Sequence, residues 1–207
     1  MDALIVEVSV PVTSFRPHHS RDYQDTYPVP PPSTVFGMLL SLCGVRADQR
    51  SLYEGTELAV MVDRVREPSR VLRKMRRDPH KDRKMGLPSY RPEYQEIILG
   101  LRMWCSLRSG SAAESLPEAV SRALEHPADV ERSGGLSLSE NTFLVDSVGV
   151  CEDVPGDGLT LHPDDAGPLT LPVWVDYQDA TKTTLRRFSL LERSLGEDDY
   201  VPIASGR

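Results

Sequence analysis

Arg16, Ser33 and Thr34 have the types and spacing of an anion site. A strand ends at Ser14-Phe15-Arg16-Pro17. The segment Thr26-Tyr27-Pro28-Val29-Pro30-Pro31-Pro32-Ser33-Thr34-Val35-Phe36-Gly37 follows, and its four prolines fix φ and favour an extended path. Ser33 or Thr34 is the expected N-cap of a helix over 33–43. Val35, Leu39, Leu42 and Cys43 fall on one face of that helix, and Gly44 fits its stop. A helix N-terminus with hydroxyls and N–H groups beside Arg16 suits a phosphate.

A second candidate is a basic island. The window 64–92 carries eleven Lys and Arg against Glu67, Asp78 and Asp82, a net +8, in a chain whose formal charge is −7. Arg70, Arg73, Lys74, Arg76, Arg77, Lys81, Arg83 and Lys84 make up most of it. A local cationic patch in an acidic chain points to one polyanion contact, while the acidic remainder discourages nonspecific nucleic-acid binding. Gly134-Gly135, followed by Ser137, permits close backbone approach to a phosphate or a turned-out nucleotide. Tyr23, Tyr27 and Tyr90 can stack on unpaired bases, although packing against the prolines suits Tyr27 better if that segment is buried.

Other chemistries find little footing. His18-His19 lack the company of a metal site, and no paired-His motif, nucleophile elbow or P-loop occurs. His80-Lys81 has the base and the cation that metal-free RNA cleavage needs, without an orienting group in sequence. Cys43, Cys105 and Cys151 are odd in number and widely spaced, so buried thiols in a reducing cytoplasm are expected, with neither disulfides nor zinc. No apolar run reaches the ~18 residues of a membrane span, and the N-terminus reads as a strand, with no signal peptide.

The elements that must position these residues are strands at 3–12, 57–66, 94–107 and 142–151 and helices at 33–43 and 115–126, the second capped by Ser115 with Glu118. The order β-α-β-β-α-β predicts an α+β, ferredoxin-like (RRM-like) core. In this reading residues 1–153 form that domain, with a basic thumb inserted at about 66–92. Residues 154–207 form an extension: a β-hairpin of strands 169–177 and 183–191, then a loosely ordered tail over 196–207. The aromatic pair that an RNA recognition motif carries on its inner strands is missing, so bases are not expected to stack on the sheet face.

The stretch from residue 14 to 44 resembles the Cas five family, whose members read S-F-R, then T-Y-P-x-P-P-x-S-T-x-x-G-x-L near the N-terminus. Arg132-Ser133-Gly134-Gly135-Leu136-Ser137-Leu138-Ser139-Glu140-Asn141-Thr142-Phe143-Leu144-Val145-Asp146 is similar to R-x-G-G-L-S-L-G-E-S-T-x-L-V-D of its Dev-type branch. Here Ser139 stands for the usual Gly, Asn141 for Ser and Phe143 for a frequent His. The resemblance covers roughly residues 4–190. It implies a noncatalytic, cytoplasmic subunit of a type I CRISPR Cascade complex that caps the 5′ handle of the guide RNA. Its implied partners are CRISPR RNA, the first Cas seven backbone subunit, the Cas eight large subunit and nearby target DNA, with no cofactor and no membrane. The RNA-binding set is then Arg16, Tyr27, Ser33, Thr34, the basic island and the Gly134-Gly135 loop with Ser137. Two alternatives remain: a metal-independent endoribonuclease that cuts repeat RNA, as one subgroup of the family does, and a protein-interaction module without RNA contact.

Overall fold

The computed structural model describes residues 3–17, 20, 23–76, 90–132, 134–176 and 179–206. Alternation of valines with polar residues puts β1 (Leu4–Thr13) in the sheet, with Val6, Val8 and Val10 fully buried. Then come β2 (Tyr23–Gln24), α1 (Pro32–Leu42), β3 (Glu57–Val62), β4 (Ser69–Arg76), β5 (Tyr90–Arg108) and α2 (Leu116–Glu125). The chain ends with β6 (Ser147–Cys151), β7 (Leu159–Pro163), β8 (Leu169–Trp174), β9 (Thr184–Glu192) and β10 (Val201–Pro202). One large sheet, mostly antiparallel, runs in the order β6-β1-β5-β3-β7-β9-β8. The mixed helix-and-strand class expected from sequence, α+β, therefore holds, with few helices on a large, mostly antiparallel sheet.

Strand β5 organises the molecule. Its C-terminal half lies between β1 and β3, in registers such as Val8↔Met103 and Val60↔Cys105. Its N-terminal half pairs with β4, from Ser69↔Ile97 to Arg76↔Tyr90. The basic window expected as an inserted thumb thus contains a strand, β4, which pairs with β5 and extends the sheet. The same half of β5 takes β2 in parallel, Tyr23↔Tyr94 and Gln24↔Gln95.

Several boundaries differ from expectation for identifiable reasons. Helix α1 starts at Pro32, not at Ser33 or Thr34, and its N-cap is Pro31, so no side chain caps it. Proline suits the first helical position because its missing N–H has no partner there. The second strand stops at Val62, where Asp63 and Arg66 close a turn through two hydrogen bonds of 2.6 and 2.8 Å. The fourth expected strand begins at Ser147, not 142; residues before it turn back, joined to Ser137 by the bridge Ser137↔Leu144. Helix α2 is capped as expected, Ser115 Oγ accepting from the Glu118 amide at 3.4 Å.

The C-terminal part departs furthest. The unexpected β7 joins β3 at Met61↔Thr160, so the hairpin of β8 and β9 continues the main sheet. It curls over α1, with Phe36 and Trp174 6.2 Å apart. This explains why α1 buries Val35, Phe36, Leu39, Leu40 and Leu42, more than one face. Leu171, Phe188 and Ile203 share one core with Val6 and Leu39.

The expected loose tail is also corrected. Asp199, 1% exposed, accepts from Arg193 at 2.7 and 2.6 Å and from the Gly196 amide at 2.6 Å, and its Oδ1 lies 2.9 Å from His162 Nδ1. Beyond it β10 pairs with β3, and the Ile203 amide donates to Thr56 O at 2.8 Å. Main-chain pairing and a buried carboxylate hold this segment, and neither leaves a periodic trace in sequence. No helix among the described residues is long and apolar enough to cross a membrane.

Candidate nucleic-acid interface

Five of the expected site residues line one cleft of about 560 Å³: Arg16, Tyr27, Ser33, Thr34 and Ser137. They come from three separated segments. The β1 exit supplies Phe15 and Arg16. The Phe15 amide donates to Thr26 Oγ1, and the Tyr27 amide to Phe15 O, both at 2.8 Å. These bonds lay the Pro-rich linker back along the strand end and bring Tyr27 beside Arg16. Burial pushes the Tyr27 phenol above its usual pKa, so the group stays neutral at physiological pH. The first turns of α1 add Ser33, Thr34 and Met38, and Pro172, Val175 and Thr183 close the far wall from the C-terminal hairpin.

The third segment is the loop before β6. Thr13 Oγ1 donates to Leu138 O at 2.9 Å, and Leu136 and Leu138 are buried. Ser139 takes φ 90°, a conformation that favours glycine, and its hydroxyl donates to Ser14 O. That local bond fixes a serine where the resembling motif has Gly. The loop thereby places Ser137, Ser139 and Glu140 in the cleft wall.

The basic hairpin is anchored to this same loop. Arg73 Nη1 donates to Gln95 Oε1 and, at 2.9 Å, to Glu140 Oε2, while Gln95 Nε2 donates to Glu140 Oε1 at 2.6 Å. Arg73 also lies 5.8 Å from the Phe143 ring centroid. Gln95 is 1% exposed, so this is a satisfied polar contact at the hairpin base. Arg73 thus docks the hairpin on this loop through Nη1. Arg70 is mostly exposed, with Glu96 at 3.8 Å. Lys74 and Arg76 belong to β4 opposite Pro92 and Tyr90. Arg77, Lys81, Arg83 and Lys84 lie outside the described residues, as does His80-Lys81.

Gly134 and Gly135 lie outside the cleft. Gly134 has φ 81°; a Cβ on Gly135 would come within 2.8 Å of Leu144 Cδ2, so this glycine admits a packed leucine. Burial pushes the Cys43 and Cys105 thiols up to about 12, away from nucleophilic chemistry. No cluster of His, Cys, Asp and Glu suited to a metal occurs among the described residues.

Comparison with known proteins decides the family. The model for CRISPR-associated protein (Cas_Cas5) matches residues 3–147. The chain is 32% identical over 214 residues to the CRISPR-associated protein Cas5 of Myxococcus xanthus (strain DK1622), covering 98% of this chain and 99% of that protein. The chain belongs to the Cas5 family. Among solved structures, a chain of a CRISPR RNA-guided surveillance complex superposes with TM-score 0.66 at 15% identity, covering 95% of each chain. A second, titled as the crystal structure of a Cas protein, has TM-score 0.56 at 18% identity over 93% of this chain and 95% of that one. These two likenesses support a shared fold.

Sequence reasoning missed several cleft residues of this Cas5 chain. Glu140 and Ser139 stood inside a recognised motif without a role, and Pro172, Val175 and Thr183 come from the C-terminal hairpin, to which no site role was given. No local signal marks them, because only the curl of the sheet over α1 brings them near Arg16. Gln95 had no signal beyond being a polar residue inside a long strand.

Proposed function

We propose that this Cas5 chain is a noncatalytic subunit of a type I CRISPR effector complex and that it holds the 5′ handle of the guide RNA. The reading is carried by one observation: Arg16, Tyr27, Ser33, Thr34 and Ser137 converge on a single cleft whose Glu140 wall also anchors the basic hairpin. A strand of RNA passing over Arg16 would continue onto that hairpin, where cationic side chains track phosphates. In this reading the hairpin lies over the RNA against the first Cas seven backbone subunit, and the complex places the chain near the Cas eight large subunit and incoming target DNA. The sheet order β6-β1-β5-β3, with α1 and α2 in the connections, is that of a ferredoxin-like core and supports such a core here.

The test is co-expression of the tagged chain with guide RNA and its complex partners. Recovery of RNA whose 5′ handle is protected from nuclease is the expected result. Recovery of the complex with an unprotected handle would overturn the handle reading. Incubation of the purified chain with its repeat RNA in EDTA should leave the RNA intact; site-specific cleavage would establish the endoribonuclease instead.

A further inference from the structure

We propose that the cleft receives an unstacked nucleobase, with the adjoining phosphate outside it on Arg16. The proposal rests on the RNA-binding reading and gives the cleft its ligand chemistry. A phosphate at a helix N-terminus needs free backbone amides. Helix α1 has few to offer: Pro31 at the N-cap and Pro32 at the first position carry no N–H, and the Thr34 amide donates to Pro31 O at 2.9 Å. The two prolines thus remove two of the first-turn donors that an anion would use, and the turn engages a third.

The walls are suited to a flat, partly apolar group. Phe15, Met38, Pro172 and Val175 supply apolar surface, and the half-buried Tyr27 supplies a ring. The volume, about 560 Å³, falls in the ~300–1,000 Å³ range of small-ligand sites. Glu140 favours a base edge over a phosphate inside. Glu140 lines the cleft, and its carboxylate is held by Arg73 and Gln95. A carboxylate offers only acceptors, so its remaining lone pairs suit N–H groups on a base edge and give a phosphate no donor. The hydroxyls of Ser33, Thr34, Ser137 and Thr183 can donate or accept around the same edge. Arg16 is exposed, so its charge is available where the backbone would pass.

The experiment compares two fluorescein-labelled probes of equal charge: an oligo(A) ribo-octamer and an octamer of abasic tetrahydrofuran phosphates. Binding to the full chain, free and assembled with its complex partners, is read by anisotropy. Oligo(A) should bind at least about tenfold more tightly. Thr34→Trp and Thr183→Trp, which fill the cleft from opposite walls, should each erase that difference, and Arg16→Ala should weaken both probes alike. Equal binding of both probes to the native chain would overturn the base site and leave RNA binding standing. A preference that survives both tryptophan variants would also overturn it, since the base would then bind elsewhere. Binding of neither probe, free or assembled, would overturn this proposal and the RNA reading together.

Discussion

Replacing Arg16 with Ala removes the one cation that lines the cleft among the described residues and gives a sharp test of the interface. Arg16 is exposed, and its Nη2 donates to Ser20 O at 2.8 Å. That bond aims the guanidinium, which carries about five N–H donors in all, and leaves Arg16 exposed. A charge-assisted contact to phosphate is worth about 1.5–3 kcal/mol, which is about 10- to 150-fold in Kd. It also accounts for about 0.7 of the logarithmic salt slope on a single strand. Arg108 is a poor comparison because it is engaged in the fold: it pairs with Glu197 at 2.7 and 2.6 Å and lies 3.7 Å from the Tyr200 ring centroid. Arg46, with a side chain 80% exposed and Asp48 at 3.5 Å, is the suitable control. The assay is anisotropy with guide-handle RNA across a salt series, with melting curves to verify folding. Arg16→Ala should lose affinity and flatten the slope, and Arg46→Ala should change neither. Equal affinity of the two variants would refute the placement of phosphate at Arg16.

Other expectations follow from the same geometry. Changing both Ser33 and Thr34 to Ala should shift stability by less than about 0.5 kcal/mol, because neither side chain caps α1; a loss of more than about 1 kcal/mol in urea titration would contradict the Pro31 cap. Replacing residues 74–91 by a short Gly-Ser turn should leave the core folded, since β5 from Ile98 onward pairs with β1 and β3. If three phosphates are lost, the salt slope should flatten by about 2, and an unchanged slope would make the hairpin a mere solvated loop. Asp199→Ala should cost about 2–4 kcal/mol in chemical denaturation, because it leaves Arg193 and His162 without their buried partner; a loss below about 0.5 kcal/mol would refute the clip. Acid should destabilise the fold. The Arg102 hydrogen bond holds the Glu7 carboxyl below its usual range, Arg108 does the same for Glu197, and for Asp63 burial pushes upward but the Arg66 bond and charge outweigh it. Groups depressed in the folded state contribute stability that is complete above about pH 5 and is lost as pH falls through the folded values. A melting temperature flat from neutral pH to about pH 3 would contradict these pairings.

What the sequence made legible follows its periodic parts. Alternating valines located β1, the Leu58 to Val62 run located β3, and the Ser115 and Glu118 spacing located the start of α2. The parts that were misread are held by partners remote in sequence. Strand β4 has a Lys- and Arg-rich sequence that suggests solvent, yet it is a strand because β5 is 19 residues long and offers a free edge beyond the core. Strand β7 is five residues long with no clean alternation, and β10 is two; both exist because β3 had edge groups to satisfy. The helix start was displaced by one residue because proline at the first position competes with the hydroxyl-cap rule and wins where a second proline precedes it.

The cleft shows why site residues were easier to find than the site. Arg16, Tyr27, Ser33 and Thr34 lie within 19 positions, so their proximity was readable as one loop entering one helix. Ser137, Glu140 and Thr183 reach them only after two long-range events. The loop after Gly135 must fold onto the end of β1, through Thr13 to Leu138 and Ser139 to Ser14. The C-terminal hairpin must then turn over α1, burying Phe36 against Trp174. Both events also bury apolar side chains, with Leu136, Leu138, Leu171 and Val173 all in the core. The cleft is therefore coupled to stability: substitutions that loosen the β8 contact with α1 should open the far wall without touching a site residue. Trp174→Ala is such a change, because Trp174 packs on Phe36 and stacks under the Arg50 guanidinium at 4.1 Å. It removes that support from the wall that carries Pro172 and Val175, so RNA affinity and melting temperature should fall together, whereas Arg16→Ala should lower affinity alone.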